Sequence, residues 1–448
     1  MLSVSQAEDR VSTLIAAARK AGADAADAIY VGDASTQVSM RLGKLEDVGR
    51  SEGEDMGLRV FVGKRSASVS SSDLSSEALA ALVDRVVAMA REAPEDPWAG
   101  LAPEDRLLRG DAIDVDADDG CDPNPAELRE RALVAEEAAR GVAGVTNSEG
   151  AGASASRAVV SIATSHGFAR GYTTSGYGCS ASVLAGEGGG MQRDYAYHST
   201  RHLSDLEDSA AIGLRAGERA VRRLNPAKLS SGPMPILFDP RVSASMVGHL
   251  LGSITGAAIA RRTSFLLDAL GTEVFAAGVT IHDDPHRPRG LRSKPFDGEG
   301  LPTAPSKIID AGVLTSWLME SASARQLGLQ PTGHATRGVG GAPGAGATNV
   351  YMAAGTVSPA ELMRDVKRGV YVTELIGQGV NGVTGDYSRG ASGFLIEDGE
   401  LGPAVAEITI AGNLKEMFRA ITPADDLVFR RAMDAPTLRI DGMMVAGA

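Results

Sequence analysis

The chain has 448 residues, too many for one compact core, and 43% of them are hydrophobic and 23% charged, as in ordinary globular proteins. Its net charge of −13 argues against direct nucleic-acid binding, because such binding draws its affinity from cationic contacts with phosphates. Two cysteines are too few for a secreted disulfide framework, and no apolar run approaches the ~20 residues of a membrane span, so we expect a cytoplasmic protein without a membrane segment.

The N-terminal half alternates helical and strand-like patterns. Apolar residues at helical spacing predict an opening helix that buries Ala7, Val11, Leu14, Ile15 and Ala18. Strand-like runs on both sides of Gly63 predict a hairpin. A second helix is predicted to begin after Ser75 or Ser76, one of which serves as its cap. Further along the chain we predict two helices and three strands, over residues 125–140, 158–162, 168–172, 181–184 and 206–224. This order predicts a sheet covered on one side by helices.

Residues 92–123 interrupt this pattern with four prolines and the acidic run DAIDVDADDG at positions 111–120. Clustered aspartates can bind calcium, but the spacing of an EF-hand loop with its closing glutamate is absent. We therefore interpret these residues as a solvated connecting segment.

We divide the chain into an N-terminal α/β domain, residues 1–228, and a C-terminal domain, residues 229–448, because a Pro- and Ser-rich stretch lies between them. The second part begins with a strand at 235–238 and a helix at 242–259. Fifteen glycines between 333 and 399 then argue against long helices. The predicted fold class is α+β, a two-layer α/β domain followed by a β-rich, glycine-dense domain.

The predicted helix 242–259 carries a stripe of small residues at intervals of four. Each interior glycine costs a helix about 1 kcal/mol relative to alanine, so the stripe needs compensation from close packing. Packing inside the domain and a place at a subunit surface or chamber wall are both compatible with it. The stripe comprises Ala244, Gly248, Gly252, Gly256 and Ala260.

Three motifs suggest chemistry, and for each a simpler interpretation is favoured. Residues 338–343 begin like a dinucleotide-binding loop, but Pro343 replaces its last glycine, which favours a flexible surface loop. His282 and His286 flank two aspartates as metal ligands could, but Pro285 disfavours a helix there, so an exposed loop is favoured. No G-x-S-x-G elbow identifies a nucleophilic serine.

Several long segments resemble the TldD/PmbA family, and specifically its PmbA (TldE) branch. The resemblance extends from about Ala7 to Gly442. Its most distinctive segments are PILFDP at 235–240, GHLLGSITG at 248–256, PFDGEG at 295–300, TELIGQGVNGVTGDYSRGASGF at 373–394 and EITIAGNLKEM at 407–417.

The resemblance implies a heterodimeric zinc peptidase acting on unfolded peptides, including leader segments of peptide antibiotics and antitoxins. In this family the TldD subunit holds zinc through an H-E-x-x-x-H helix and a C-terminal cysteine. The corresponding positions here are Gly252, Ser253 and Ala257, and no cysteine lies between Asn413 and Pro436. Glycine and alanine offer zinc no lone pair, so we expect a degenerate metal site and no cofactor in this chain, with zinc in the partner subunit.

We therefore predict the non-catalytic subunit of a cytoplasmic peptidase, active only with a metal-bearing TldD-type partner and capable of forming a homodimer when alone. Candidate chamber or interface residues are His249, His334, Asp386, Tyr387, Ser388 and Arg389. Two alternatives remain open. One is an interaction protein that modulates DNA gyrase, the activity first ascribed to the family. The other is a self-sufficient peptidase that uses another nucleophile or the histidines at 282–286.

Overall fold

The structure, a computed structural model, describes residues 1–447. Its N-terminal part consists of six strands and four helices, and the helices have well-defined N-terminal caps. Ser3 and Asn124 each form a capping box at the start of a helix. In chain order the elements are α1 (Val4–Lys20), β1 (Ala25–Arg41), β2 (Lys44–Val62), β3 (Arg65–Ser71), α2 (Ser76–Glu92), α3 (Pro125–Arg140), β4 (Val145–Thr164), β5 (Ala169–Ala185), β6 (Gln192–Thr200) and α4 (Ser209–Arg222).

The six strands form one antiparallel sheet in the order β3-β2-β1-β4-β5-β6. Side chains alternate between its two faces, and the apolar face is covered by all four helices. The predicted hairpin around Gly63 and the helix capped by Ser75 are both confirmed. The strands predicted at 168–172 and 181–184 are parts of the single strand β5.

The rest of the described chain contains five helices and strands of 2 to 14 residues. Its elements are β7 (Gly232–Phe238), α5 (Pro240–Ser253), α6 (Gly256–Ala260), β8 (Ile281–Asp283), β9 (Ser306–Asp310), β10 (Val313–Leu314), α7 (Ser321–Leu327), β11 (Ala335–Thr336), β12 (Gly344–Ala345), β13 (Val350–Met352), α8 (Pro359–Met363), β14 (Arg368–Ile376), β15 (Asp386–Glu397), β16 (Glu400–Asn413), α9 (Leu414–Ala420), β17 (Thr422–Pro423), β18 (Met433–Asp434) and β19 (Leu438–Ala446).

A six-stranded sheet, β16-β15-β14-β7-β19-β17, forms the centre of this part. Pairing of β16 with β19 joins five of these strands into a closed ring. A second sheet, β10-β9-β8-β13-β18, lies beyond it, and the largest apolar core of the molecule fills the space among these sheets and α5. The predicted α+β class with a β-rich C-terminal part is confirmed. Among residues 1–447 no helix combines the length and apolar composition needed to cross a bilayer.

The helix predicted at 242–259 is wrong in one respect, because it is two helices. Thr255 is extended, with φ −67° and ψ 138°, and its hydroxyl accepts a hydrogen bond from the Ala258 amide at 3.3 Å. The amide of Gly256 donates to the carbonyl of Leu318 at 2.7 Å. A threonine that can cap a new helix, together with this distant carbonyl partner, ends α5 at Ser253.

Two of the three predicted loops are more buried than expected. The segment 92–123 has little regular structure, but Leu107, Val115 and Ala117 are buried, so it is not wholly solvated. The exposed loop predicted at 282–286 is wrong, since His282 lies in β8 and Asp283 is 1% exposed. The loop 338–343 lies at the surface as predicted, with Gly338, Gly340 and Ala342 exposed, and only Val339 packs on the N-terminal sheet.

The uncovered face of the N-terminal sheet contacts the C-terminal part directly. Ile29 and Phe168 pack with Phe296, and the two phenylalanine rings meet edge-to-face at 5.2 Å. At Gly57 an added Cβ would lie 2.1 Å from the carbonyl oxygen of Val339, so only glycine fits where β2 meets the backbone of Val339. The two parts therefore share an interface that is both apolar and close.

Helices α3 and α4 also pack closely against each other, so a larger residue at their contact should lower the free energy of unfolding. A Cβ at Gly213 would lie 2.0 Å from the carbonyl oxygen of Ala135, whereas one at Gly252 would meet no heavy atom within 4 Å. Because overpacking costs about 1–3 kcal/mol or more and alanine gains about 1 kcal/mol in propensity, we expect Gly213→Ala to lower the unfolding free energy by about 2 kcal/mol. Gly252→Ala, the matched control, should not lower it. Urea denaturation of both variants tests this, and an undiminished stability of Gly213→Ala would contradict the packing argument.

Candidate functional site

The three positions where zinc ligands were expected to be missing lie at the break between α5 and α6. Gly252 faces open space, and Ser253 donates its hydroxyl hydrogen bond to the carbonyl of His249 at 2.9 Å. Ala257, on α6, is half-buried. Neither glycine nor alanine has a donor atom to offer a metal, and the serine hydroxyl is occupied within its own helix.

The surroundings supply no substitute ligand set. Within residues 1–447 no group of three or more His, Cys, Asp or Glu side chains has an arrangement that could hold a metal ion. Both cysteines, Cys121 and Cys179, lie in the N-terminal part. His282 and His286 are engaged separately, the first stacked on Tyr351 at 4.8 Å and the second 2.9 Å from the hydroxyl of Thr303. The residues at this position therefore do not fit a catalytic metal.

Three of the predicted site residues are brought together beside α5. The rings of His249 and Tyr387 meet edge-to-face at 5.8 Å, and Arg389 follows on the same strand, β15. The His249 Nε2, the Tyr387 hydroxyl and the Arg389 Nε are buried without hydrogen-bond partners in the described chain. Burial, together with the positive charge of Arg389, lowers the pKa of His249 to about 4. Burial also raises the pKa of Tyr387 above its ordinary value.

The other predicted residues lie apart from this group. Asp386 is exposed, and hydrogen bonds from Thr384 and Asn413 lower its pKa. Ser388 is exposed on the same strand. His334 is 7% exposed, and its Nε2 lies 3.1 Å from a carboxylate oxygen of Asp283. Its imidazole is therefore buried within this chain, whereas Asp386 and Ser388 are accessible.

A cavity of about 660 Å³ forms a cleft between β6 and the C-terminal part, and we call it the arginine cleft. Its floor is formed by the start of α5 and by β14 and β15, and residues 430–433 form another wall. Seven arginines and two carboxylates line it. The sequence does not reveal this cleft, because its seven arginines are scattered between positions 193 and 431.

Comparisons with known proteins agree over almost the whole chain. Profiles of PmbA/TldA metallopeptidase domain 1, central domain and C-terminal domain match residues 26–90, 118–224 and 231–447. The chain is 39% identical over 444 residues to Metalloprotease PmbA of Escherichia coli O157:H7, covering 98% of this chain and 96% of that protein. It is 36% identical to a Metalloprotease PmbA homolog of Haemophilus influenzae, covering 98% and 95%.

Solved structures share the fold. A Bacteroides thetaiotaomicron protein, described as a candidate modulator of DNA gyrase, superposes with a TM-score of 0.92 at 25% identity, and the match covers 100% of both chains. TldE from Thermococcus kodakarensis superposes with a TM-score of 0.88 at 21% identity, and the match covers 98% of this chain and 100% of that one. From the three matching domain profiles and the full-length relatives, we conclude that this chain belongs to the PmbA/TldD metallopeptidase family.

Proposed function

We propose that this chain is the non-catalytic subunit of a cytoplasmic heterodimeric zinc peptidase whose metal is held by a TldD-type partner. The observation that carries the proposal is that none of the residues at positions 252, 253 and 257 is a His, Cys or carboxylate ligand of the kind that zinc takes in catalytic sites. A zinc-bound water also needs a nearby base to accept its proton, and Ser253 is a poor base whose hydroxyl already donates within α5.

In this proposal the subunit completes the substrate chamber, limits entry to extended chains and stabilises its partner. Unfolded peptides, such as antibiotic leader segments and antitoxins, are the substrates. The accessible residues Asp386 and Ser388 are suited to contact a partner or a peptide. Tyr387 and Arg389 alternate with them on β15, and the Tyr387 hydroxyl, the Arg389 Nε and the His249 Nε2 are buried without hydrogen-bond partners in the described chain.

Co-expression with a family member that contains an intact H-E-x-x-x-H helix tests the proposal. We expect the two chains to co-purify, the pair to cleave an unstructured peptide, and the chelator 1,10-phenanthroline to abolish cleavage. The isolated chain should contain sub-stoichiometric zinc by plasma mass spectrometry and should leave the peptide intact. Substituting the glutamate of the partner's motif should abolish cleavage without separating the chains.

Two results would contradict the proposal. Chelator-sensitive cleavage by this chain alone, with stoichiometric metal, would make it a self-sufficient peptidase. Tight binding to DNA gyrase without any peptidase partner, combined with no binding to the H-E-x-x-x-H chain, would instead make it a modulator of that enzyme.

A further inference from the structure

The arginine cleft concentrates positive charge in a chain whose net charge is −13. Two smaller cavities, of about 420 and 320 Å³, adjoin it and share Arg430 and Arg431 with it. All three cavities are lined by residues of β6, between Arg193 and Thr200. Cavities that follow one strand suit an extended ligand better than a compact one.

The two carboxylates of the cleft are already neutralised. Asp194 lies 2.9 Å from Arg241 and 3.6 Å from Arg223, and Glu374 lies 2.5 Å from Arg223. By contrast, no carboxylate of residues 1–447 lies within 4 Å of the guanidinium nitrogens of Arg292, Arg389 or Arg431. The cleft therefore carries uncompensated positive charge.

Buried polar atoms at the floor of the cleft also lack partners. Arg389 and Thr373 line the cleft, and the Arg389 Nε and the Thr373 Oγ1 are buried without a hydrogen bond within the described chain, as are the Arg241 Nε and the Asp194 Oδ2. Buried polar atoms are normally satisfied, and a charged donor gains most from an anionic acceptor. For the Arg389 side chain, the best ligand acceptor is therefore a carboxylate or similar oxygen.

The wall formed by β6 indicates which kind of negatively charged polymer the cleft binds. This strand is the last in its sheet, so no strand of residues 1–447 pairs with its outer edge. Tyr195 and Tyr197, each 40% exposed, stack on that strand at 6.2 Å, and Arg431 lies over the Tyr197 ring. An open strand edge can pair with the backbone of an extended peptide, which a nucleic acid cannot do. The overall negative charge further disfavours a nucleic acid.

We propose that the arginine cleft binds extended peptide segments rich in aspartate and glutamate. Arg292, Arg389 and Arg431 contact the carboxylates, and the edge of β6 contacts the peptide backbone. The inference rests on the proposed function, because such a peptide would be a substrate of the complex. In that complex, this chain would select substrates that contain acidic segments.

Fluorescence anisotropy with the isolated full-length chain tests this. The probe is a fluorescein-labelled peptide of alternating Glu and Gly, about eight residues long and roughly 27 Å when extended. An analogue with Gln in place of Glu is the neutral probe. We expect the acidic peptide to bind at least about tenfold more tightly, a difference of about 1.4 kcal/mol. Its affinity should fall as ionic strength rises.

The double variant Arg292→Gln/Arg389→Gln should weaken acidic-peptide binding at least about tenfold. The matched control, Arg85→Gln/Arg129→Gln, removes the same charge from exposed positions on α2 and α3 and should change affinity less than about twofold. The charge-preserving variant Arg292→Lys/Arg389→Lys should retain most of the binding. Retention by this variant would show that a loss in the Gln variant is not misfolding.

Three results would overturn the inference. They are equal binding of the acidic and neutral probes, equal losses in the cleft and control double variants, and tighter binding of a single-stranded oligonucleotide of the same charge. Because no partner or cleavage is involved, any of them would leave the proposed peptidase role standing. Failure of the co-expression experiment would likewise leave the binding measurement valid.

Discussion

Replacing Asp27 with alanine is expected to lower the free energy of unfolding by about 3–5 kcal/mol, because it leaves two buried guanidinium groups without a counter-charge. Asp27 accepts a hydrogen bond from the Arg59 Nε at 2.8 Å, and its other oxygen lies 2.6 Å from Arg337 of the C-terminal part. The side chains of all three are at most 7% exposed. Chemical denaturation measures the loss.

The matched control for this prediction is Asp33→Ala on the same strand, where the side chain is exposed and substitution should cost less than about 0.5 kcal/mol. Arg337→Met should cost less than Asp27→Ala, because Asp27 would keep its pairing with Arg59. Equal stabilities of the two aspartate variants would show that the buried ion group contributes nothing to the fold.

The second large effect concerns pH and Glu299, which is 5% exposed and accepts hydrogen bonds from the Ser321 amide and hydroxyl. Burial raises the pKa of Glu299 from 4.5 to about 7. Between these values the folded chain keeps a proton that the unfolded chain has lost. The stability contributed by this group is therefore complete below pH 4.5 and falls by up to about 3 kcal/mol as pH rises through 7.

Glu299→Gln keeps an acceptor for Ser321 and removes the titration. We expect the stability of the variant relative to the natural chain to increase by up to about 3 kcal/mol between pH 5 and pH 8, measured by urea denaturation at each pH. Other titrating groups are present in both proteins, so the difference isolates Glu299. The exposed Glu273→Gln serves as control. A difference that stays constant with pH would contradict the burial argument.

Features set by neighbouring residues were predictable from the sequence. The hairpin around Gly63, the cap at Ser75 and the helix Pro125–Arg140 all depend on local spacing, and each was confirmed. The lack of ligands at 252, 253 and 257 was also visible in the sequence, because it depends only on which residues stand there.

Features created by distant contacts were not predictable. The break before Gly256 depends on the carbonyl of Leu318, and the burial of Asp283 depends on Thr348, which donates its amide at 2.9 Å. The arginine cleft joins side chains from β6, α5, β14, β15 and residues 430–433, so no single window of sequence contains its charge. Patterns within one element cannot reveal such assemblies.

The apolar contact between the two parts has a mechanical consequence. Separating the two parts would expose Ile29, Phe168 and Phe296 to water, at a free-energy cost of at least about 5 kcal/mol. At equilibrium, fewer than about one molecule in a thousand would therefore have the two parts separated. The width of the arginine cleft is thus fixed before any ligand arrives. A folded domain could not enter by widening the cleft, whereas an unfolded chain is narrow enough to bind without widening it.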